Sequence, residues 1–183
     1  MYSFNYNVTE QDYLEFHKNH LRNTKEGKRL IWVYRLLVLT MMIAPIPSIL
    51  DFGFSEPFLT IMDLMIVTIG IILFICANQF TLWCVSRTIK RQQKKGNAKY
   101  TPKGLLSFDE EQIIDVCETS EMKVKYSVLE KVYVTPVAFY FYISSIQAFI
   151  LPYKSFSSQQ QLDEFFNFIR NIVGDGKIAY IKK

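Results

Sequence analysis

The stretches LIWVYRLLVLTMMIAPIPSIL, residues 30–50, and LMIVTIGIILFICANQFTLWCVS, residues 64–86, decide the fold that the sequence predicts. The first contains one charged residue, Arg35, and the second contains none. About 20 apolar residues in a helix cross the hydrocarbon core of a membrane, and a soluble helix rarely stays apolar all round for so long. The sequence therefore predicts a membrane α-helical hairpin over residues 30–86, with two transmembrane helices at 30–50 and 58–86.

The short connection DFGFSEP, residues 51–57, makes the two predicted helices antiparallel, because unpaired backbone cannot wander through lipid. This connection carries Asp51 and Glu56 but no Lys or Arg, whereas both flanks of the hairpin are basic. The basic residues of the flanks are Lys18, Arg22, Lys25, Lys28, Arg29, Arg87, Lys90, Arg91, Lys94, Lys95 and Lys99. By the positive-inside rule, we expect a multi-pass protein of the cell membrane with cytoplasmic N- and C-termini.

The same basic flanks predict contact with a bilayer whose inner leaflet is anionic. Residues 1–103 carry 13 Lys and Arg against 7 Asp and Glu, whereas residues 104–183 carry 8 against 10. Each Lys or Arg beside an anionic membrane surface contributes about 1 kcal/mol. Residues 87–103 are expected to form a basic connector between the hairpin and the C-terminal domain. The residues expected to contact the membrane surface are Lys28, Arg29, Arg87, Lys90, Arg91, Lys94 and Lys95.

Polar residues inside the predicted spans are Arg35, Asn78 and Gln79. Arg35 can extend its side chain to the headgroups. Antiparallel packing would bring Asn78 and Gln79 to the depth of Arg35, as hydrogen-bond partners. Pro45 and Pro47 predict a kink near the outer end of the first span.

The N-terminal segment, residues 1–29, predicts a strand and a helix. Residues 2–8 alternate apolar and polar side chains, as in a half-buried strand. Thr9 can cap a following helix with Asp12, and that helix should end near Asn23. Because so short a strand has no partner nearby, we expect it to join the C-terminal domain.

The C-terminal domain, residues 104–183, predicts antiparallel strands followed by one amphipathic helix. Strand patterns cover residues 105–108, 113–117 (with Asp115 interposed), 122–128, 132–134, 137–143 and 147–151, with a hairpin turn at Ser144 and Ser145. Ser157 or Ser158 can cap the helix, Gln160 or Gln161 can complete the cap, and Gly174 and Gly176 should end it. Residues 178–181 are expected to add a short strand or a tail. We expect a cytosolic α+β domain.

Motifs for chemistry are sparse. His17 and His20 have helical spacing but lack an evident third metal ligand, and Asp109, Glu110 and Glu111 are typical of a solvated turn. The aromatic run at 139–142 lacks interleaved Lys and Arg, which favours a strand buried on both faces over a nucleic-acid platform. We expect no enzyme activity, no cofactor, no metal site and no nucleic-acid partner.

Three stretches resemble the YcxB-like family of bacterial membrane proteins. They are YSFNYNVTEQDYLEFHKNH (2–20), KYSVLEKVYVTPVAFYFYIS (125–144) and AFILPYKSFSSQQQLDEFFNFI (148–169). The last, a strand ending in Leu-Pro before an amphipathic helix, is the most specific. The resemblance covers most of the chain and implies a pleckstrin-homology-like fold for the cytosolic domain, but it implies no activity.

The expected function is that of a membrane-anchored cytosolic interaction module at the inner leaflet, which binds a protein partner or a second copy of itself. Two alternatives remain open from the sequence: an immunity protein that protects against a toxic peptide, and an accessory subunit of a transporter.

Overall fold

The computed structural model describes residues 1–52, 55–94, 103–118 and 120–181. The chain divides into two compact units. The α+β unit comprises residues 1–16 and 92–183, and the helical unit comprises residues 17–91. Since the α+β unit takes residues from both ends of the chain, the expectation that the N-terminal strand joins the C-terminal domain is confirmed.

The helix α1 begins and ends where the sequence predicts. It spans Glu10–Asn23. The backbone N–H of Thr9 donates to Asp12 Oδ2 at 2.7 Å, and the backbone N–H of Asp12 donates to Thr9 Oγ1 at 3.3 Å. These reciprocal bonds satisfy donors that have no partner within the helix, as the predicted cap requires.

The helical unit continues with four helices. Their bounds are α2 Lys25–Ile43, α3 Ile46–Phe52, α4 Pro57–Ile75 and α5 Ala77–Lys94. Thr24 begins α2, because its hydroxyl oxygen accepts a hydrogen bond from the backbone N–H of Gly27 at 3.0 Å. α2 and α4 pack on each other, with Gly70 of α4 directly against the Met42 side chain of α2.

The predicted spans are divided in the structure. The first is interrupted between Ile43 and Ile46, as expected from the prolines, and the second is interrupted at Cys76. Among the described residues, Pro57–Ile75 is the one helix that is long and apolar enough to cross a membrane. α2 falls short because its first turns are charged, and its apolar part, residues 30–43, is only about 21 Å long.

The first sheet of the α+β unit is four-stranded and antiparallel, in the order β1-β2-β3-β4. Its strands are β1 Tyr2–Asn7, β2 Lys103–Phe108, β3 Gln112–Cys117 and β4 Ser120–Lys125. The prediction that the β4 strand reaches residue 128 is wrong, because Tyr126–Val128 form a 3₁₀ turn. In that turn the Tyr126 hydroxyl donates to the carbonyl oxygen of Asp109 at 2.9 Å.

The second sheet has the order β7-β6-β5-β8. Its strands are β5 Lys131–Val134, β6 Ala138–Tyr142, β7 Ala148–Pro152 and β8 Ile178–Tyr180. The first three are antiparallel neighbours, whereas β8 pairs with β5 in parallel. All five residues of β6 are buried, which confirms the prediction of a strand covered on both faces.

The helix α6, Gln159–Val173, lies between β7 and β8 in the chain. Ser158 accepts a hydrogen bond from the Gln161 N–H at 3.1 Å, and the Gln161 side chain accepts one from the Ser157 N–H at 2.8 Å. Phe165 and Ile169 of α6 are fully buried. The main core therefore forms where α6 and the two sheets meet, as the amphipathic pattern predicts.

Candidate functional site

A cavity of about 240 Å³ opens on the surface of the α+β unit. One wall comes from the first sheet and the other from β7 with the loop before it, while the end of β1 and the start of α1 close it. The residues that line it are Tyr6, Val8, Tyr13, Phe16, Leu106, Asp115, Met122, Ile143, Ile146, Gln147, Ala148, Phe149 and Ile150. Most of these side chains are apolar, so the cavity is a candidate binding site for a small molecule or side chain.

Asp115 is the exception among the described lining residues, since it alone of them carries a formal charge. In the sheet register it lies between Leu106 on β2 and Met122 on β4. Ile113, two residues earlier in the same strand, therefore points to the same face, and its side chain is fully buried. Asp115 thus lies at an inward-facing position of β3, where the alternating pattern of the strand predicts an apolar side chain.

Tyr6 fixes the carboxylate of Asp115. The Tyr6 hydroxyl donates a hydrogen bond to Asp115 Oδ1 at 2.9 Å, and Tyr6 itself is 7% exposed. Burial raises the pKa of Asp115, and the hydrogen bond from Tyr6 offsets only part of that rise. The carboxyl group is therefore held in place, at a site where its charge is poorly solvated.

Gly104 makes room for Tyr6. The two residues face each other across β1 and β2. A Cβ atom at Gly104 would lie 2.7 Å from Tyr6 Oη and 2.8 Å from the carbonyl oxygen of Val116, both too close. The tyrosine ring thus lies over a position that only glycine can fill, which directs its hydroxyl towards Asp115.

The opposite wall is shaped by the loop between β6 and β7. The predicted hairpin is confirmed, although its turn lacks Gly and Asn. The Ser144 hydroxyl replaces their contribution, because it accepts hydrogen bonds from the backbone N–H groups of Ile146 and Gln147 at 3.4 and 3.1 Å. This turn holds Ile146 at the rim of the cavity with 72% of its side chain exposed.

The sequence did not single out this site. Its one signal was an acidic residue, Asp115, at an inward-facing position of an otherwise apolar strand. Tyr6 could not be connected with Asp115, because the two residues are 109 positions apart in the chain.

The basic residues predicted to contact a membrane surface lie on α2 and α5 in the helical unit. Lys28, Arg29, Arg87, Lys90 and Arg91 are exposed to solvent. The Lys94 side chain and all of Lys95 lie outside the part of the chain that the structure describes. Arg87 also stacks on Trp83, with Cζ 5.2 Å from the ring centroid.

The polar residues predicted inside the spans do not pair with one another. Arg35 Nε and Asn78 Oδ1 are buried without hydrogen-bond partners among the described residues, and Gln79 is exposed. Arg35 instead lies over the rings of Trp32 and Phe74, with Cζ at 5.7 and 5.3 Å from their centroids. Aromatic faces therefore lie beside the guanidinium group, and neither Arg35 Nε nor Asn78 Oδ1 has a hydrogen-bond partner among the described residues.

Comparison with known proteins finds a similarity over one part of the chain. Residues 108–169 match the family model described as YcxB-like protein. This segment of the chain is similar to that family. It runs from the end of β2 into α6 and includes Asp115, Met122 and the β6–β7 wall of the cavity. No curated protein and no solved structure matches the chain.

Proposed function

We propose that the protein is a membrane-anchored interaction module: a two-span hairpin formed by α2–α5 attaches the α+β unit to the inner leaflet of a bacterial cell membrane. The observation that carries this proposal is the apolar surface of the helical unit. Its side chains that are more than half exposed include Trp32, Leu36, Leu37, Ile43, Leu50, Phe58, Ile61, Leu64, Ile72 and Ile75. Soluble proteins rarely expose so many large apolar side chains on neighbouring helices, whereas lipid would cover them.

The threonines of these helices support the same proposal. The hydroxyls of Thr60, Thr68, Thr81 and Thr88 each donate to the carbonyl oxygen four residues earlier, at 2.7–3.1 Å. The Thr40 hydroxyl donates to the carbonyl oxygen of Leu37, three residues earlier. Polar groups in lipid must find partners within the protein, and these hydroxyls do so within their own helices.

The break at Cys76 is compatible with a span longer than α4. The backbone N–H of Cys76 donates to Ile72 at 2.9 Å, and its carbonyl accepts from Phe80 at 2.8 Å, so hydrogen bonds connect α4 and α5. From Phe58 to Trp83 such a helix would be about 37 Å long, which exceeds the ~30 Å core. Trp83 and Trp32 are each more than half exposed and have basic neighbours, as is typical of residues at a membrane interface.

For the other span, we propose that α2 and α3 cross together, with the proline break near the outer face. Exposed apolar residues continue from Ile43 through Ile46 to Leu50. The eleven Lys and Arg residues of the flanks support a cytoplasmic position for both termini, by the positive-inside rule.

For the α+β unit, we propose a pleckstrin-homology-like fold. Two sheets of four strands each, with one helix after the seventh strand, support this proposal. Here β1 comes from before the hairpin and β8 follows the helix, so the fold would be split by the membrane anchor and extended by one strand.

Alkaline carbonate extraction and cysteine labelling test the proposal. We expect the full-length protein to stay with the membrane pellet after extraction. In a variant whose three native cysteines are replaced by alanine, a membrane-impermeant maleimide should label Ser55→Cys on intact cells. The same reagent should label Asn5→Cys and Tyr180→Cys only after lysis.

The labelling pattern separates the topologies. A single span through α4 would leave residues 5 and 180 on opposite sides of the membrane, so one of them would react on intact cells. An inverted hairpin would expose both of these residues and protect residue 55. Release of the protein by carbonate would refute the membrane anchor itself.

A further inference from the structure

We propose that the cavity at Asp115 binds a small primary amine with an apolar tail, whose ammonium group pairs with the Asp115 carboxylate. The proposal concerns the α+β unit alone, and it does not depend on how the helical unit is placed in a membrane.

The shape of the cavity favours a small ligand. Drug-sized molecules occupy pockets of about 300–1,000 Å³, so a volume near 240 Å³ suits a shorter molecule. Apolar side chains on both walls, among them Leu106, Met122, Ile143 and Ile150, would surround an aliphatic tail. The exposed Ile146 at the rim could cover the end of such a tail.

The charge of the cavity selects a cation. Among the described residues, Asp115 is the one charged residue of the lining, and no Lys, Arg or His lines the cavity. An ammonium group would supply the opposite charge that a poorly solvated carboxylate lacks, and a charge-assisted hydrogen bond is roughly twice as strong as a neutral one. A fatty acid or a phosphate ester would instead bring a second negative charge next to Asp115, which argues for a free amine and against a phospholipid headgroup.

The hydrogen bonding of Asp115 leaves capacity for a ligand. An ionised carboxylate offers about four lone-pair sites on its two oxygens. Tyr6 donates to Oδ1 and is the one hydrogen-bond donor to this side chain among the described residues. Because Tyr6 restrains the carboxylate before a ligand arrives, less side-chain entropy is lost on binding.

The test uses the full-length protein in a neutral maltoside detergent, with ¹³C-labelled methyl groups on Ile and Met. Hexylamine is titrated, with hexanol and hexanoate as ligands of the same length and different charge. We expect hexylamine to shift the methyl signals of Met122, Ile146 and Ile150 in a saturable way. The methyl signal of Ile169, which lies in the core away from the cavity lining, should not move.

Asp115→Asn keeps the shape of the side chain and removes its charge. Since a hydrogen bond to a charged group contributes about 1.5–3 kcal/mol, this variant should bind hexylamine about tenfold more weakly or worse. The matched control is Asp163→Asn, which removes the same charge from the exposed face of α6 and should leave binding unchanged. Methyl spectra of both variants without ligand report whether each has folded.

Three results would overturn the proposal. They are equal binding of hexanol or hexanoate, unchanged hexylamine affinity in a folded Asp115→Asn variant, and methyl shifts that spread equally to Ile169. Tighter binding of dihexanoyl-phosphatidylethanolamine than of hexylamine would assign the site to a lipid and would equally refute a free amine.

Discussion

Replacing Phe4 by alanine tests the physical link between the two ends of the chain. Phe4 lies on β1 and is 3% exposed. Its ring centroid lies 4.5 Å from that of Phe156 and 4.9 Å from that of Phe165 on α6. Truncating a buried phenylalanine removes its transfer free energy and leaves a cavity, at a cost of about 3–5 kcal/mol. Since whole domains are stable by only about 5–15 kcal/mol, the loss should affect the entire α+β unit.

Hydrogen exchange followed by mass spectrometry can measure the loss of stability of the α+β unit separately from that of the helical unit. The slowest amides of β3 and β6 exchange through opening of the unit, at a rate that follows its free energy of unfolding. A loss of 3–5 kcal/mol corresponds to roughly 10²- to 10⁴-fold faster exchange at those amides, because each 1.4 kcal/mol is tenfold. Peptides from α4 should keep the exchange rate that they have in the unmodified protein.

The control for this experiment is Phe58→Ala, the same substitution at a side chain that is 72% exposed in the helical unit. It should leave exchange in β3 and β6 unchanged. If Phe4→Ala also left β6 protected, β1 would contribute little to the core, and a domain built from both ends of the chain would be refuted.

Two further predictions concern the helical unit. Gly27→Ala would place a Cβ atom 2.2 Å from the His20 carbonyl oxygen and 2.5 Å from Leu21 Cα. The cost of this clash should exceed the ~1 kcal/mol gain in helix propensity and lower the melting temperature of the helical unit, measured by tryptophan fluorescence, by several degrees. Gly176→Ala in the α+β unit, where an added Cβ meets nothing within 4 Å, should leave that melting temperature unchanged. Burial, together with the neighbouring His20, lowers the pKa of His17 from 6.5 to about 4. The folded state therefore favours neutral His17, so the contribution of His17 to stability is present above pH 6.5 and lost as the pH falls towards 4. Between pH 7 and 4.5, the melting temperature of His17→Gln should fall less than that of the unmodified protein. Equal falls would contradict this assignment.

Local patterns predicted the elements well where one face is buried and a cap is present. The start of α1 follows from Thr9 and Asp12. The bounds of α6 follow from Ser158 and Gln161 at its start and from Gly174 at its end, where a φ of 80° ends the helix. Both are local effects, because the groups that satisfy each other are at most four residues apart.

Local patterns were less reliable where the periodicity does not change. An apolar helix and its continuation look alike in sequence, so the break at Cys76 was missed. Likewise, the alternating pattern of β4 continues past Lys125, but the side chain and backbone of Tyr126 are satisfied by hydrogen bonds to Asp109 and Glu111, and the strand ends.

By itself, the sequence predicted which side chains of the strands and of α6 face inward, because this follows from the spacing of residues along the chain. Only the tertiary structure decided which distant strands become neighbours. β1 pairs with β2, although the whole helical unit separates them in the sequence, and β8 pairs in parallel with β5. The alternation of apolar and polar residues defines which face of a strand is buried. It does not define the neighbouring strand, because every strand edge offers the same backbone N–H and C=O groups. For the same reason the cavity at Asp115 could not be predicted, because it exists only once Tyr6, Asp115 and β7 have been brought together from distant parts of the chain.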